Sequence, residues 1–237
     1  MILYGRNPVM EALRGRRAHT VSRVWAAPGA AREPWLEGVA VHPATPEEIT
    51  RRCGAAAHQG ICAEVGGYPY VSSDELLGED NPLIVALDQV QDPQNLGSIC
   101  RTAECVGATG IVIPERRAAE VTPAVCKASA GAVEHLRVAR VRNLADFLGE
   151  AQKAGCWSYG ASAGANTPYH RPDYRGGVVV VLGSEGRGLR PRVAGACDEL
   201  IALPLLGRIE SAGVSAAAAA ILYEILHNRR RSLDNVS

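Results

Sequence analysis

From Pro82 onward, short apolar runs alternate with stretches rich in glycine and alanine. Six of these runs are predicted to be strands: LIVALD, GIVIP, HLRVARV, CWSYGAS, VVVVLG and ELIALPL. Strands made almost wholly of Val, Ile and Leu, separated by helical stretches, indicate a parallel sheet that is covered on both faces. The pattern therefore predicts an α/β domain in this part of the chain.

The first 65 residues have a different pattern, typical of a small α/β unit. It predicts a helix from Asn7 to Leu13, a strand at VSRVWAA, a capped helix that starts at Thr45 and a strand at ICAEV. The stretch GGYPYVSSDELLGEDNP has the Gly, Pro and Ser content of a linker with one helical turn in it. The predicted division is a substrate-binding domain over residues 1–70, a linker over 71–81 and a catalytic domain over 82–237.

Composition adds only broad constraints to this division. The chain has 237 residues, 47% of them hydrophobic, and can therefore bury an ordinary core. Its formal net charge of +0 neither favours nor excludes an anionic partner, although arginines cluster at the start, middle and end. The N-terminus lacks a cleavable apolar segment, and no apolar run approaches the ~20 residues of a membrane span. We expect a soluble cytoplasmic protein with no membrane partner.

The seven cysteines give no sign of a metal site or of a disulfide framework. None of them forms a C-x-x-C pair, and none has a histidine at zinc-ligand spacing. Cys100 and Cys105 lie close to a polar loop, and we interpret both as buried structural thiols. No metal is expected.

Three polar loops follow strands of the predicted sheet, and ligands bind beyond the carboxyl ends of such strands. They are DQVQDPQNLGSICR, GSEGRGL and LLGRIESAGVSAA. The glycine loop, GSEGRGL, matches neither dinucleotide nor nucleotide-phosphate spacing, which disfavours a dehydrogenase. Its glycines could instead let the backbone approach a flat ligand, with the Glu185 carboxylate at the rim. The alternative is a tight strand-to-helix turn with an exposed glutamate.

The other two loops carry groups suited to binding a polar or anionic ligand. In the first, Asp92 and Pro93 are predicted to set a turn, with Asn95 in the approach loop and the helix starting at Gly97. Arg101 would then suit a phosphate or a developing oxyanion, or it could simply face solvent. In the third loop, the Ser211 and Ser215 hydroxyls lie at the start of an alanine-rich helix, where Ser211 could also be only an N-cap.

Taken together, DPQNLGSICRTAE, VVLGSEGRGL and IALPLLGRIESAGVSAAAAAILYE resemble the three ordered motifs of the SpoU (TrmH-like) 2'-O-ribose RNA methyltransferases of the SPOUT superfamily. The N-terminal LYGRNPVMEAL and AAAHQGICAEV resemble the small RNA-binding domain of the bacterial members that methylate a guanosine ribose of 23S ribosomal RNA. The resemblance covers nearly the whole chain. It implies a deep trefoil knot in the C-terminal part of the sheet, a homodimer, S-adenosylmethionine as cofactor and 23S rRNA as substrate.

The resemblance also implies site residues. The catalytic and RNA-side positions that it carries over are Asn95, Arg101, Glu185 and Ser211. The cofactor-binding positions are Gly183, Ser184, Leu203, Leu205, Ala212 and Ser215. Family-based mechanisms make the arginine a general base, but guanidinium resists deprotonation in proteins. We therefore expect Arg101 to hold the adjacent phosphate and to stabilise the developing alkoxide.

One position departs from the family pattern, which usually has S-L-N-x-S where this chain has Ser211-Ala-Gly-Val-Ser215. Gly213 cannot donate from a side chain. Either a water or one of the two serines takes the place of the amide, or the enzyme is slow, or it is inactive. A transfer RNA target, a resistance-type ribosomal RNA target and a non-catalytic RNA-binding relative remain alternatives.

Overall fold

The computed structural model describes residues 1–209 and 211–234, which form two compact units. The first unit comprises Met1–Pro69 and Glu120–His135, and the second comprises Tyr70–Ala119 and the chain from Leu136 onward. The sequence had placed residues 120–135 inside the range 82–237. Their partners in the first unit are remote in sequence, as for Glu134, which bonds to Arg17, 117 residues away. The assignment of a separate function to each of the ranges 1–70, 71–81 and 82–237 stays a prediction.

The helices and strands are short apart from the last helix. The α-helices are α1 (Arg6–Arg14), α2 (Pro46–Cys53), α3 (Ser73–Leu77), α4 (Pro93–Cys105), α5 (Pro123–Ala128), α6 (Leu144–Lys153), α7 (Pro191–Ala194) and α8 (Val214–Asp234). The strands are β1 (Ile2–Tyr4), β2 (Arg23–Ala26), β3 (Val41–Pro43), β4 (Ile61–Glu64), β5 (Leu83–Asp88), β6 (Gly110–Pro114), β7 (Val138–Val141), β8 (Cys156–Ala161), β9 (Thr167–Pro168), β10 (Gly177–Gly183) and β11 (Glu199–Ala202). None of the described helices is both long and apolar enough to cross a membrane.

The first unit contains a four-stranded sheet in the order β1-β4-β2-β3. β4 is antiparallel to both of its neighbours, and β2 and β3 are parallel. Helix α2 begins with a capping box, in which Thr45 Oγ1 accepts from the Glu48 amide and the Glu48 carboxylate accepts from the Thr45 amide. The predicted helices at Asn7 and Thr45 and the strands β2 and β4 are therefore present, whereas the three-residue strands β1 and β3 were not foreseen.

A buried ion pair joins the two chain segments of the first unit. Arg17 Nε and Nη2 donate to the two carboxylate oxygens of Glu134 over 2.7 and 2.6 Å, and neither side chain is more than 1% exposed. Arg17 Nη1 also donates to the Gly66 carbonyl, 3.1 Å away. Nearby, the Tyr68 hydroxyl donates to the Val133 carbonyl over 3.0 Å. The segment 120–135 thus completes the interior of this unit.

The second unit is built on a seven-stranded sheet in the order β7-β6-β5-β10-β8-β11-β9, and every neighbouring pair is parallel. Central strand β5 is buried throughout, as are the five middle residues of β10. The predicted α/β fold, with a parallel sheet and a small N-terminal domain, is confirmed. The trefoil knot stays a prediction.

Helices cover the sheet of the second unit. One face packs against α3, α6 and α7, where Leu76, Phe147 and Val193 join a core with β5 and β10. Because successive side chains of a strand point to opposite faces, alternate residues of β5 and β10 are left for the other helices. Helices α4 and α8 pack against each other and contact β6 and β10, respectively. The polar loops begin at the carboxyl ends of the central strands β5 and β10.

Candidate functional site

The three polar loops open at one edge of the sheet. Gly183, the last residue of β10, pairs in register with Asp88, the last residue of β5. On the other side of β10, the Ser162 amide after β8 donates to the Ile201 carbonyl of β11 over 2.9 Å. The loops that follow β5, β8, β10 and β11 therefore start side by side.

A cavity of about 460 Å³ lies between these loops, and we call it the apolar cavity. Its lining residues are Ala161–Ala163, Leu182–Gly188, Ile201, Leu203, Leu205, Ser211–Val214 and Ala217. This volume falls within the roughly 300–1,000 Å³ of small-molecule pockets. Of the predicted cofactor positions, Gly183, Ser184, Leu203, Leu205 and Ala212 line the apolar cavity, whereas Ser215 lies in the first turn of α8 and does not.

A second cavity of about 310 Å³ adjoins the first, and we call it the polar cavity. The loop after β5 and the start of α4 contribute Gln89–Asp92 and Asn95. The glycine loop and the start of α8 contribute Ser184, Glu185, Arg187 and Val214, which line the apolar cavity as well. The two cavities therefore share a wall, and a ligand in one lies next to a ligand in the other.

The predicted catalytic residues are not all brought together within one chain. Asn95 and Glu185 line the polar cavity, and Glu185 and Ser211 line the apolar cavity. Arg101 is exposed on α4 and lines neither. A Cβ atom built on Gly213 would lie 3.5 Å from Glu185 Oε1, so the second and third loops are in contact.

Helix α4 starts earlier than the sequence predicted. Asp92 is its N-cap, with the carboxylate accepting from the Gln94 amide over 3.0 Å, and Pro93 is the first helical residue. Asn95 is therefore inside the helix and not in an approach loop, which corrects the prediction. At 3.6 residues per turn, six residues correspond to about 600° of rotation, so Asn95 and Arg101 point in directions about 120° apart around the axis. Asn95 faces the polar cavity of its own chain, and Arg101 does not line it.

The glycine loop is a compact turn. The Gly188 amide donates to the Ser184 carbonyl over 2.9 Å, and Gly186 and Gly188 have φ of 79° and 63°. A Cβ atom on Gly183 would lie only 2.1 Å from the Gly188 carbonyl carbon. The close backbone approach at Gly183 and the left-handed conformations of the other two explain why glycine occupies these positions.

A buried carboxylate that the sequence analysis did not single out anchors this loop. Asp88 is 0% exposed and accepts from the Arg190 amide over 2.8 Å and from Arg190 Nε over 2.7 Å. The pair ties the chain just beyond the glycine loop to the end of β5. The signal in the sequence was a lone acidic residue that closes the apolar strand LIVALD, because a buried charge requires a partner.

The third loop positions Ser211 and Gly213 at the entrance of α8. Ser211 Oγ accepts from the Gly213 amide over 3.1 Å, so it caps a turn that precedes the helix. The hydroxyl hydrogen of Ser211 remains available to donate into the apolar cavity. Gly213 has φ of 81°, a left-handed conformation that asparagine tolerates better than most other residues. The backbone at this position is therefore compatible with the asparagine that the family pattern has.

The thiols near the site differ in exposure. Cys100 is buried, and its burial raises the pKa of the thiol to about 12. Cys105, in contrast, is exposed at the end of α4, so its interpretation as a buried thiol was wrong. The described residues contain no group of three or more His, Cys, Asp or Glu side chains that could hold a metal ion.

The apolar cavity fits a flat nucleoside that carries a positive charge. Leu182, Ile201 and Val214 supply apolar walls for a flat ring, and the glycine loop supplies backbone close to the ligand. The charged side chains of the lining are Glu185, whose carboxylate can attract a cationic centre, and Arg187, which can pair with an anionic group of the same ligand. A sulfonium nucleoside such as S-adenosylmethionine matches this combination.

Known proteins match the chain over both of its parts. The sequence profile of the SpoU rRNA methylase family matches residues 82–223, and that of the substrate-binding domain of RNA 2'-O ribose methyltransferases matches residues 2–71. A Bacillus subtilis protein assigned to the TrmH family of tRNA/rRNA methyltransferases is 44% identical over 177 residues, which are 73% of this chain and 71% of that protein. A Staphylococcus haemolyticus protein with the same assignment is 33% identical over 247 residues, covering 99% and 98% of the two chains.

A solved structure has the same fold. The SpoU methyltransferase AviRb from Streptomyces viridochromogenes, in complex with the cofactor AdoMet, superimposes with a TM-score of 0.82 at 24% sequence identity. The match covers 97% of this chain and 90% of AviRb. Fold, cavities and sequence matches define a class, the S-adenosylmethionine-dependent RNA methyltransferases. Within that class, the chain belongs to the SpoU rRNA methylase family.

Membership of this family confirms several predictions from the sequence. The resemblance to SpoU enzymes, the enzyme class and S-adenosylmethionine as cofactor are all confirmed. RNA is the substrate class. The roles of the individual site residues remain predictions, which the geometry above makes testable.

Proposed function

We propose that the protein transfers the methyl group of S-adenosylmethionine to the 2'-hydroxyl of a ribose in ribosomal RNA, and that the target is a guanosine of 23S rRNA. The observation that carries this proposal is the pair of cavities with a common wall. The apolar cavity suits the cofactor, and the polar cavity beside it suits a nucleoside. The match of residues 2–71 to a substrate-binding domain of RNA 2'-O ribose methyltransferases supports the ribose as acceptor.

In this proposal, the cofactor is held by the five predicted positions that line the apolar cavity. They are Gly183, Ser184, Leu203, Leu205 and Ala212. Ser215 contributes only indirectly, from the first turn of α8. When bound, S-adenosylmethionine supplies an electrophilic methyl group on a sulfonium. Glu185 lies in the common wall, where its carboxylate stabilises positive charge in the apolar cavity.

The polar cavity receives the acceptor nucleoside. Asn95 and Glu185 offer an amide and a carboxylate that can hydrogen-bond and so orient the ribose hydroxyls. Ser211 can donate from the edge of the apolar cavity. Arg101 stabilises the developing alkoxide on the acceptor oxygen, since its guanidinium remains charged, and the proton of the hydroxyl leaves through the adjacent phosphate or a water.

The position of Arg101 leads us to propose a homodimer. Arg101 is exposed and lies outside both cavities of its own chain, so its proposed role requires that it reach the site of a partner subunit. Closed two-fold dimers are the commonest soluble assemblies and place one patch of each subunit against the other. Tyr223 on α8, which is 43% exposed, adds apolar surface on the helix that packs against α4.

Mixing two inactive variants tests both the dimer and the role of Arg101. At an S-adenosylmethionine concentration well below the dissociation constant of Gly183→Ala, that variant and Arg101→Ala should each have little activity as pure dimers. Mixed dimers would contain one site with an intact cofactor loop and an intact partner arginine, so about a quarter of wild-type activity should return after subunit exchange. Activity of pure Arg101→Ala at the wild-type level would refute its role, and a mixture without recovery would refute a shared site.

Two alternatives concern the target and the activity. The similar proteins are assigned to tRNA or rRNA, so a tRNA target or a resistance-type rRNA target is the second candidate. A non-catalytic RNA-binding relative is the third, because Gly213 carries no side-chain amide. We place the protein in the cytoplasm, where all of these RNAs are present in bacteria.

The decisive experiment is to incubate the protein with labelled S-adenosylmethionine and total RNA that lacks ribose methylation, and to map the product. We expect one 2'-O-methylguanosine in 23S rRNA. Label in tRNA would select the second candidate, and label on a base would overturn the ribose as acceptor. Calorimetry with S-adenosylmethionine identifies the third candidate, which would bind RNA but not the cofactor.

A further inference from the structure

One cation lies at the junction of the two cavities. Among the described lining residues, Arg187 is the only Lys or Arg, and it lines both cavities. The acids that share these walls are Glu185, in both cavities, and Asp92, in the polar cavity. Arg101, which the sequence assigned to the phosphate, lines neither. A negatively charged ligand that entered the polar cavity would therefore meet Arg187 as its positive partner within the chain.

The backbone on either side of Arg187 is fixed, whereas its side chain is exposed. Gly186 and Gly188 hold left-handed conformations around it, and the Gly188 amide closes the turn onto the Ser184 carbonyl. Two residues beyond the turn, Arg190 is bound through its amide and guanidinium to buried Asp88. None of the described ion pairs involves Arg187. Within the described residues, the Arg187 guanidinium therefore has no acid as its partner.

The chemistry of the acceptor ribose provides an anionic ligand for Arg187. In RNA, the carbon that bears the 2'-hydroxyl is bonded to the carbon that bears the 3'-phosphate. A ribose whose 2'-oxygen reaches the common wall therefore brings its own 3'-phosphate to the same place. The carboxylates of Glu185 and Asp92 would repel that phosphate unless a cation lay beside it. A guanidinium matches the geometry of a phosphate and can bind two of its oxygens.

We propose that Arg187 binds the phosphate next to the acceptor ribose, in the same chain whose apolar cavity holds the cofactor. The inference rests on the proposed function, because it requires an RNA ribose in the polar cavity. It assigns to Arg187 a role in substrate binding, and leaves to Arg101 the stabilisation of the alkoxide. Phosphate binding and alkoxide stabilisation would then come from different arginines.

The test compares Arg187→Ala and Arg187→Lys with Arg192→Ala. Arg192 is a matched control five positions away, with its side chain 74% exposed and paired with Asp146 outside both cavities. For each protein, RNA affinity is measured at several salt concentrations, S-adenosylmethionine affinity by calorimetry, and methyl transfer at limiting and saturating RNA. Total RNA without ribose methylation, or its 23S fraction, serves as the RNA probe.

We expect Arg187→Ala to weaken RNA binding by about tenfold at low salt and to reduce the slope of log affinity against log salt by about 0.7, the value for one phosphate contact on a single strand. KM for RNA should rise while cofactor affinity stays at the wild-type value. Arg187→Lys should keep most of the salt slope because the charge remains. Arg192→Ala should match the wild type in all three measurements.

Two outcomes would overturn the proposal. A loss of S-adenosylmethionine affinity with unchanged RNA affinity would mean that Arg187 binds the carboxylate of the cofactor. An Arg187→Ala variant indistinguishable from Arg192→Ala would mean that it binds neither anion. Failure of the proposed function is a separate result, since the wild type itself would then transfer no methyl group to a ribose.

Discussion

The two units of the protein each contain an ion pair that links distant parts of the chain, and the pairs differ in exposure. In the first unit, Arg17 and Glu134 are 1% and 0% exposed. In the second, Asp88 is 0% exposed but Arg190 is 44% exposed. Removing one partner of a fully buried ion pair leaves a buried charge without compensation, whereas water can solvate an exposed partner. We therefore expect the first pair to contribute more to stability, and the second to contribute more to the shape of the loop beside the cavities.

The largest expected effect is that of Glu134→Gln. This change leaves the Arg17 guanidinium buried without a counter-charge, so the free energy of unfolding should fall by about 3–5 kcal/mol. Urea unfolding followed by circular dichroism measures it. The control is Glu33→Gln, which removes an exposed ion pair with Arg6. The Glu33 and Arg6 side chains are 23% and 47% exposed, so the loss of stability should be less than about 1 kcal/mol. Equal losses of stability in the two variants would contradict the distinction between buried and exposed ion pairs.

Gly183→Ala tests the backbone of the loop that the second pair anchors. A Cβ atom would lie 2.1 Å from the Gly188 carbonyl carbon, and relieving such overpacking costs about 1–3 kcal/mol. Because the shift occurs in the wall of the apolar cavity, S-adenosylmethionine affinity should fall by at least about tenfold. Calorimetry provides the measurement.

Gly186→Ala is the matched control for that substitution. A Cβ atom on Gly186 meets nothing within 4 Å, and only its φ of 79° opposes the change. The expected loss is about 1 kcal/mol of stability, with a smaller loss of cofactor affinity. The packing argument fails if Gly186→Ala impairs binding as much as Gly183→Ala does.

Asp88→Asn breaks the pair of the second unit while leaving its size unchanged. The amide oxygen can still accept one hydrogen bond from Arg190, so we expect a loss of about 1–2 kcal/mol of stability together with weaker S-adenosylmethionine binding. Asp146→Asn removes an exposed pair with Arg192 and should change neither quantity. If Asp88→Asn cost as much stability as Glu134→Gln and left cofactor binding intact, the Asp88–Arg190 pair would serve stability and not the loop beside the cavities.

The smallest change in stability is expected for Gly213→Asn, which restores the amide of the family pattern. Asparagine tolerates the φ of 81°, and its Cβ would lie at ordinary contact distance, 3.5 Å, from Glu185 Oε1. We expect stability to change by less than about 1 kcal/mol and turnover to rise, because the amide can donate to the Glu185 carboxylate. Single-turnover methyl transfer measures it. A lower rate in a folded variant would show that the site depends on the glycine.

The sequence predicted the central features of the fold because its strongest patterns are local. The runs LIVALD and VVVVLG became β5 and β10, and Thr45 capped the helix that it was expected to cap. Strands of two or three residues, such as β1 and β9, carry too few alternating positions to be recognised. The early start of α4 followed from the N-cap Asp92, which had been assigned to a turn.

The candidate site was predictable in its motifs but not in its connections. The glycine loop and the third loop were named from the sequence, and both line the apolar cavity. The bond between Asp88 and Arg190 joins residues 102 positions apart, and such a contact leaves no trace in local spacing. The placement of Arg101 outside both cavities also depends on how α4 is rotated, which its hydrophobic pattern does not fix to within one residue.

The segment 120–135 has a consequence for protein engineering. A chimera that exchanges only residues 1–69 with another member of this family would separate Arg17 from the carboxylate that it binds. The exchanged segment would carry the buried Arg17 guanidinium, and its folding would depend on which side chain the recipient has at the position of Glu134. A chimera that carries residues 1–69 and 120–135 together preserves the pair of Arg17 with Glu134. The part of the gene to be exchanged is therefore discontinuous.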